Sequence, residues 1–258
     1  MNTIEVEQGK KAKSRPMLYT ELAATDADVR ESQALRYRIF SGELGAKLHT
    51  PVEGLDIDRF DNYCHHLLVR SAETGEVVAS TRLLPGAKIA EAGGFYSESE
   101  FDLTNIKKLD GRILEVGRTC VAPAYRTGAA IAVLWSGLAA YVNLHGFDYL
   151  CGCASIELED DGVRAAAIMK RLRQQAMIDE EHRVTPLNPL PLVDADTNIT
   201  AAMPPLLKAY IRLGAKICGE ACWDPDFNVA DVFILVKLSE MDNAYARHFF
   251  GYERVPVR

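Results

Sequence analysis

The chain has 258 residues, 48% hydrophobic and 25% charged, with a formal net charge of -7. This is the composition of an ordinary globular protein; no apolar run reaches the roughly 20 residues of a membrane span, the polar N-terminus lacks the apolar core of a secretory signal, and the negative charge opposes general nucleic-acid binding. Cys64, Cys120, Cys151, Cys153, Cys218 and Cys222 include no Cys-x-x-Cys pair and no zinc-like spacing with His, so reduced, mostly buried thiols of a cytosolic protein are expected, with no metal.

Residues 1–15 carry Lys10, Lys11, Lys13 and Arg15 and read as a flexible basic tail, one whose charge also permits peripheral contact with anionic lipid headgroups at an inner membrane surface. Residues 16–258 read as one α/β unit. Met17–Ala23 suits a first strand, and Asp26–Phe40 a helix with Thr25 as its N-cap. Residues 41–62 form a Gly- and Pro-punctuated loop. His65–Arg70 and Val77–Leu84 read as a hairpin across Glu73-Thr74-Gly75-Glu76, with one of His65 and His66 facing solvent. Residues 85–111 are irregular.

Arg112–Val121 is the expected central strand. It leads through Pro123 into Arg126-Thr127-Gly128-Ala129-Ala130 and a helix to His145, in which Ile131, Leu134, Trp135, Leu138 and Val142 recur at helical spacing. A strand feeding a small-residue loop at a helix N-terminus offers unpaired N–H groups and the positive dipole end to a phosphate. Asp148–Cys153 follows as a strand and Asp160–Met177 as a helix. Residues 184–200 are Pro-rich and expected to wrap the surface. Pro204–Leu213 is a helix stopped by Gly214. Lys216–Cys222 and Val229–Val236 are strands, the second so apolar that both its faces must be buried. This order predicts a central sheet covered by helices on both sides.

Short motifs then recur in a fixed order: Arg36 with Phe40, Asp58 with Asp61, Arg82 within Thr81–Pro85, and Glu115 with Arg118. In that order and spacing the chain resembles the acyl-homoserine-lactone synthases, N-acyl amino acid synthases and ornithine N-acyltransferases, a branch of the GNAT-like acyltransferases. Leu35–Phe40, Gly93–Tyr96, Glu100–Leu103, Gly152–Ser155 and Leu206–Ala215 bring it nearer to the bacterial ornithine N-acyltransferases, and the likeness runs from about Leu18 to Gly251. The loop at Arg126 has one residue fewer before its glycine than the common coenzyme A loop, and residues 41–56 lack the Trp of the lactone synthases.

The resemblance implies a GNAT-like fold with a mixed sheet that the C-terminal part completes. It implies an enzyme that moves a (3-hydroxy) fatty acyl group from acyl carrier protein to the α-amine of ornithine, giving a lyso-ornithine lipid. The acyl-phosphopantetheine is then a donor substrate and not a bound cofactor. The alternatives are an N-acyl amino acid synthase with another acceptor, a homoserine-lactone synthase, or a non-catalytic acyl-binding protein on the same fold.

Direct transfer from a thioester needs a neutral amine and a donor for the oxyanion, and no enzyme nucleophile. Glu115, in an apolar strand where burial raises its pKa, is the candidate base; an ion pair with Arg118 or Arg82, or an orienting role, is the alternative. Arg36, Phe40, Asp58, Asp61 and Arg82 are implied to bind or orient the acceptor or to hold the 41–62 loop shut, and one arginine could fork onto the acceptor's carboxylate. Val121, Arg126, Thr127, Gly128, Ala129 and Ala130 are implied to hold the phosphopantetheine, with an oxyanion donor among the backbone N–H groups of Thr119–Val121. Cys120 is expected to pack. Docking of an acidic carrier requires a local basic surface, either Arg126 with Lys170, Arg171 and Arg173, or Lys107, Lys108 and Arg112.

Overall fold

The computed structural model describes residues 17–126, 128–191 and 201–241. The basic tail, Thr127 and residues 192–200 of the Pro-rich stretch lie outside the described residues. Chain order gives β1 (Leu18–Leu22), α1 (Asp26–Tyr37), β2 (His65–Ser71), β3 (Val77–Pro85), the short α2 (Ile89–Ala92), β4 (Phe101–Asp102) and β5 (Ile113–Val121). There follow α3 (Ala129–His145), β6 (Tyr149–Glu157), α4 (Val163–Gln175), β7 (Thr185–Pro186), α5 (Pro205–Arg212), β8 (Lys216–Ile217), β9 (Cys222–Asp224) and β10 (Val229–Lys237).

Eight strands form one mixed sheet in the order β1-β2-β3-β5-β6-β10-β8, with β9 also on β10. β10 pairs with β6 antiparallel from Val229↔Glu157 to Lys237↔Tyr149. Residues Val229–Val236 are buried throughout, which explains their unbroken apolar run. The C-terminal part therefore does complete the sheet. Lys216–Cys222 is not one strand: it breaks into β8 and β9, because the Cys218 carbonyl turns aside to accept from the Val184 amide at 2.7 Å.

α1 packs on one face, over β3 and neighbouring strands, and begins with a reciprocal capping box between Thr25 and Asp28. Its helical path widens into a π-helix over Arg38–Glu43, so the expected end at Phe40 is carried into the following loop. α3 crosses β1, β2 and β3 on the opposite face. It starts at Ala129 rather than Arg126, since Pro123–Tyr125 is a 3-10 turn and Gly128 stands before the helix with φ 88°. On that same face α4 and α5 bury Ile168, Leu172 and Leu207 against Ile156, Val232 and Ile234. The irregular 85–111 segment covers the other side of β6 and β10 through Phe95, Phe101 and Leu103, packed with Cys151, Phe233 and Leu235.

β5 and β6 run parallel, but their pairing covers only Ile113↔Tyr149 to Glu115↔Cys151. Beyond that point β5 continues to Val121 and β6 to Glu157, and the strands part. Gly152 sits at the fork, where a Cβ would meet the Val116 carbonyl oxygen at 2.2 Å. Just above it, β5 carries a bulge against β3: Arg82 pairs with Gly117 and Ser80 with Cys120, so Arg118 and Thr119 both oppose Thr81. Arg118 has φ 52°, the local twist that such an insertion requires.

Candidate active site

The fork divides two unlike environments. On the helical face lies a cavity of about 70 Å³. Val116 and Thr119 of β5, Leu150 and Gly152 of β6, Leu134, Trp135 and Leu138 of α3, Tyr210 and Leu213 of α5, and Ile234 and Val236 of β10 line it. Trp135 stacks on Tyr210 with ring centroids 5.7 Å apart. The wall is almost entirely apolar, so it suits a hydrocarbon chain, at about 0.8 kcal/mol per buried CH₂.

The opposite face is charged. Arg36, 1% exposed, donates from Nε to Asp56 at 2.8 Å and from Nη2 to both oxygens of Asp61 at 3.0 and 3.1 Å. Arg82 Nη1 donates to Asp58 at 2.6 Å and to Asp61 at 3.2 Å. Gln33 and the Asp58 amide also donate to Asp61. Burial alone would raise the Asp61 pKa, but the Arg36 and Arg82 guanidiniums overcome that and hold it below the ordinary value. His66 is buried against the Asp61 carbonyl while His65 is exposed, as expected of the pair.

Arg36, Asp58, Asp61 and Arg82 are thus brought together as sequence predicts, and their bonds clamp the 56–61 loop onto α1 and β3. Phe40 stands edge-on to Phe227, with ring centroids 5.6 Å apart, at the edge of this group. Sequence reasoning missed Asp56. Charge balance gave no signal for it, since the motif's three arginines are already matched in number by Asp58, Asp61 and Glu115.

Arg118 is the least enclosed of these arginines. Its Nη1 donates to the Tyr96 hydroxyl at 2.9 Å, its Nε lies 3.4 Å from Asp56, and its guanidinium lies between the rings of Tyr96, Phe227 and Phe40. Glu115 is 3% exposed. Instead of pairing with Arg82 or Arg118, its carboxylate accepts from the Tyr96 amide at 2.7 Å and from the Ser97 amide and hydroxyl at 2.9 and 2.7 Å. Burial raises its pKa, and these donors partly offset the rise. The ion-pair role is therefore replaced by another: Glu115 pins the 96–97 turn over the fork.

A second acidic group lies across the fork, and the motif reading did not include it. Carboxylate oxygens of Glu100, Asp224 and Asp231 lie within 4.8 Å of one another. Ser155 Oγ donates to Asp231 at 2.7 Å, and Glu100 Oε2 is buried without a hydrogen-bond partner. Burial, reinforced by the neighbouring carboxylates, raises the pKa of both Glu100 and Asp231, while the Arg118 charge acts in the opposite direction. Among the described residues this is the acidic group close enough to hold a cation. Glu100 falls in the irregular 85–111 segment, where the Glu100–Leu103 likeness gave it no role, and Asp224 and Asp231 are brought together through β9–β10 pairing.

At the proposed phosphate cradle, Val121 ends β5 and its carbonyl accepts from Arg126 Nε at 3.0 Å. Arg126 also pairs with Glu43. Gly128, just before α3, and Ala129, its first residue, are exposed, while the Ala130 side chain is spent in the core. The first-turn N–H groups of α3 have no intrahelical partners. Cys120 is buried, its thiol pushed up to about 11 by burial, and it packs beside Leu35 and Phe40.

Residues 35–136 match the family model described as "Acetyltransferase (GNAT) domain". The chain is 33% identical over 248 residues to the L-ornithine N(alpha)-acyltransferase of Brucella abortus, with 90% of this chain and 88% of that protein covered. It is 36% identical over 255 residues to the protein of that name from Rhodobacter capsulatus, covering 91% of this chain and 95% of that one. Among solved structures, the AHL synthase LasI superposes with a TM-score of 0.52 at 12% identity, covering 95% of this chain and 100% of that one. FeeM, an N-acyl amino acid synthase, gives 0.51 at 11% identity, covering 88% and 93%. The structural likenesses show the fold; the sequence identities, along nearly the full length of the relatives, show that the chain is a GNAT-type acyltransferase and belongs to the L-ornithine N(alpha)-acyltransferase family.

Proposed function

We propose that the protein transfers a fatty acyl group from the phosphopantetheine thioester of acyl carrier protein to the α-amine of ornithine, giving an N-acyl ornithine. The observation that carries this reading is the fork between β5 and β6, with an apolar cavity on one face and opposed charges on the other. A thioester lying in the fork would send its chain into the cavity and turn its carbonyl carbon toward the charged face. There Arg118 suits the acceptor's carboxylate, and the Glu100, Asp224 and Asp231 group suits its amine, which must lose a proton before attack. The relatives' name supplies ornithine as the acceptor.

The carrier arm would enter where the fork opens, beside Arg126 and the N-terminus of α3. Of the two basic surfaces expected from sequence, Lys107, Lys108 and Arg112 stand before the first residue of β5, at the strand's opposite end. This favours the Arg126 side. There the fork itself orients the arm, and a reduced loop suffices because a carrier-bound arm has no adenosine diphosphate to hold. On this reading the protein works in the cytoplasm, and its product, a lipid, leaves toward the membrane surface. No helix among the described residues is long and apolar enough to cross a membrane.

Mass spectrometry of products formed from an acyl carrier protein thioester and a mixture of the twenty amino acids with ornithine tests this directly. The expected product is N-acyl ornithine. A different acyl amino acid would move the chain to the broader N-acyl amino acid synthases.

A further inference from the structure

In the segment Gly152–Ser155, Gly152 marks the fork and Ser155 holds Asp231. Cys153 stands between them, half-buried and bordering the apolar cavity. Its thiol donates to Ser97 Oγ at 3.3 Å, and Ser97 Oγ donates to Glu115 at 2.7 Å. An ionised carboxylate can only accept, and the Ser97 hydroxyl has one proton, so both protons run toward Glu115. The amides of Tyr96 and Ser97 hold that carboxylate in place. The lone pairs of the sulfur are left for whatever lies in the fork. A thiol, a hydroxyl and an oriented carboxylate in series have the arrangement of an activated nucleophile.

Among the described residues, no other cysteine reaches a carboxylate through a hydroxyl. Cys120 lies beside Ser80, and Cys218 and Cys222 donate to backbone carbonyls. Burial, reinforced by Glu100 and Asp231, pushes the Cys153 thiol well above its ordinary range, so the sulfur keeps its proton at rest. Burial likewise raises the pKa of Glu115, which can therefore hold a proton in passing. The thiolate forms only as its proton moves to Ser97 and the Ser97 proton to Glu115.

We propose that Cys153 is a catalytic nucleophile that takes the acyl group before the acceptor does, with Ser97 as the positioning residue for its proton. This rests on the acyl-transfer reading of the fork, in which the thioester carbonyl turns toward the face where Cys153 meets Ser97. The sulfur attacks that carbonyl carbon, and the bond from carbon to the pantetheine sulfur breaks. The departing thiolate takes the proton back from Glu115 through Ser97. The α-amine then attacks the acyl-Cys153 thioester. The carbon–sulfur bond to Cys153 breaks, and the proton lost by the amine ends on the Cys153 sulfur.

The test mixes the protein with myristoyl-pantetheine and no acceptor, quenches in acid and weighs the intact chain. One myristoyl group on Cys153, released by neutral hydroxylamine, is expected, and ornithine should discharge it. Initial rates with donor and acceptor both varied should give parallel double-reciprocal lines. Cys153→Ala should lose the adduct and lower kcat by about 10³-fold or more. Ser97→Ala should slow loading by about 10²–10⁴-fold with the donor KM little moved. Intersecting lines, an adduct on another residue, or a Cys153→Ala enzyme of normal kcat would overturn the proposal. Because loading needs no acceptor, a myristoylated Cys153 that ornithine leaves untouched upholds this inference and refutes the reading of function above. Acyl ornithine formed with intersecting lines does the reverse.

Discussion

Glu115 and Arg118 meet through one residue, Tyr96: its backbone amide donates to Glu115 at 2.7 Å and its hydroxyl accepts from Arg118 at 2.9 Å. Residues three apart on a regular strand point to opposite faces. The bulge at Gly117–Thr119 inserts one position and returns Arg118 to the face of Glu115. The motif's spacing is therefore a bulge signature: it places a pinned turn and a guanidinium on the same side of the fork.

Glu115→Gln replaces one acceptor oxygen with an NH₂ group facing donors from Tyr96 and Ser97. We expect a loss of about 1–3 kcal/mol of stability from the unsatisfied contacts, together with a fall in kcat, as the turn carrying Tyr96 loosens. Urea denaturation and steady-state kinetics on one preparation check this. A fall in kcat of roughly 10²–10⁴ with unaltered stability and a lost acidic limb would instead make Glu115 the base.

Arg118→Lys keeps the charge and discards the fork. Since Lys cannot bind a carboxylate bidentately, the KM for the amino acid acceptor should rise about tenfold or more, with the KM for the acyl donor little moved. Asp231→Asn, which leaves the Ser155 hydrogen bond possible, should weaken the acceptor from its amine end. Equal effects of both substitutions on donor and acceptor KM would show that they disturb the fork as a whole.

The clamp around Asp61 makes stability acid-sensitive. Its folded pKa lies below the ordinary 3.8, so its contribution is fully present above that value and is lost as pH falls through the lower, folded value. Denaturant midpoints measured from pH 6 downward should fall steeply below about pH 4, and Asp61→Asn should flatten that dependence. Arg36→Met leaves Asp56 and Asp61 buried with fewer partners and should cost about 3–5 kcal/mol at neutral pH.

Truncation after residue 199 removes α5 and β10. It strips β6 of its partner from Tyr149 to Glu157 and opens one wall of the cavity. An exposed apolar edge of that length pairs with other chains. The fragment should aggregate and lack activity, as size-exclusion chromatography would show; a monodisperse, active fragment would place the acyl site elsewhere.

The carrier surface is tested by Arg126→Glu. The fork opens beside Arg126, so reversal should raise the KM for carrier-bound donor and flatten its salt dependence, while a pantetheine-bound donor is spared. Lys107→Glu, at the far end of β5, should not share the effect.

The sequence alone determined what is local or periodic. Thr25 and Asp28 lie three apart and so cap α1; the apolar run at Val229–Val236 has to be a buried strand; the ordered Arg, Asp and Glu motifs belong to one charged face. Tertiary structure decided what depends on strands meeting far along the chain. Pairing in register brought Asp224 and Asp231 to Glu100, the bulge turned Arg118 toward Tyr96, and the parting of β5 from β6 opened the apolar cavity that Thr119 and Tyr210 line. Periodicity carries no record of a single inserted residue or of where two parallel strands stop pairing, because both are set by backbone contacts between distant segments and not by side-chain pattern.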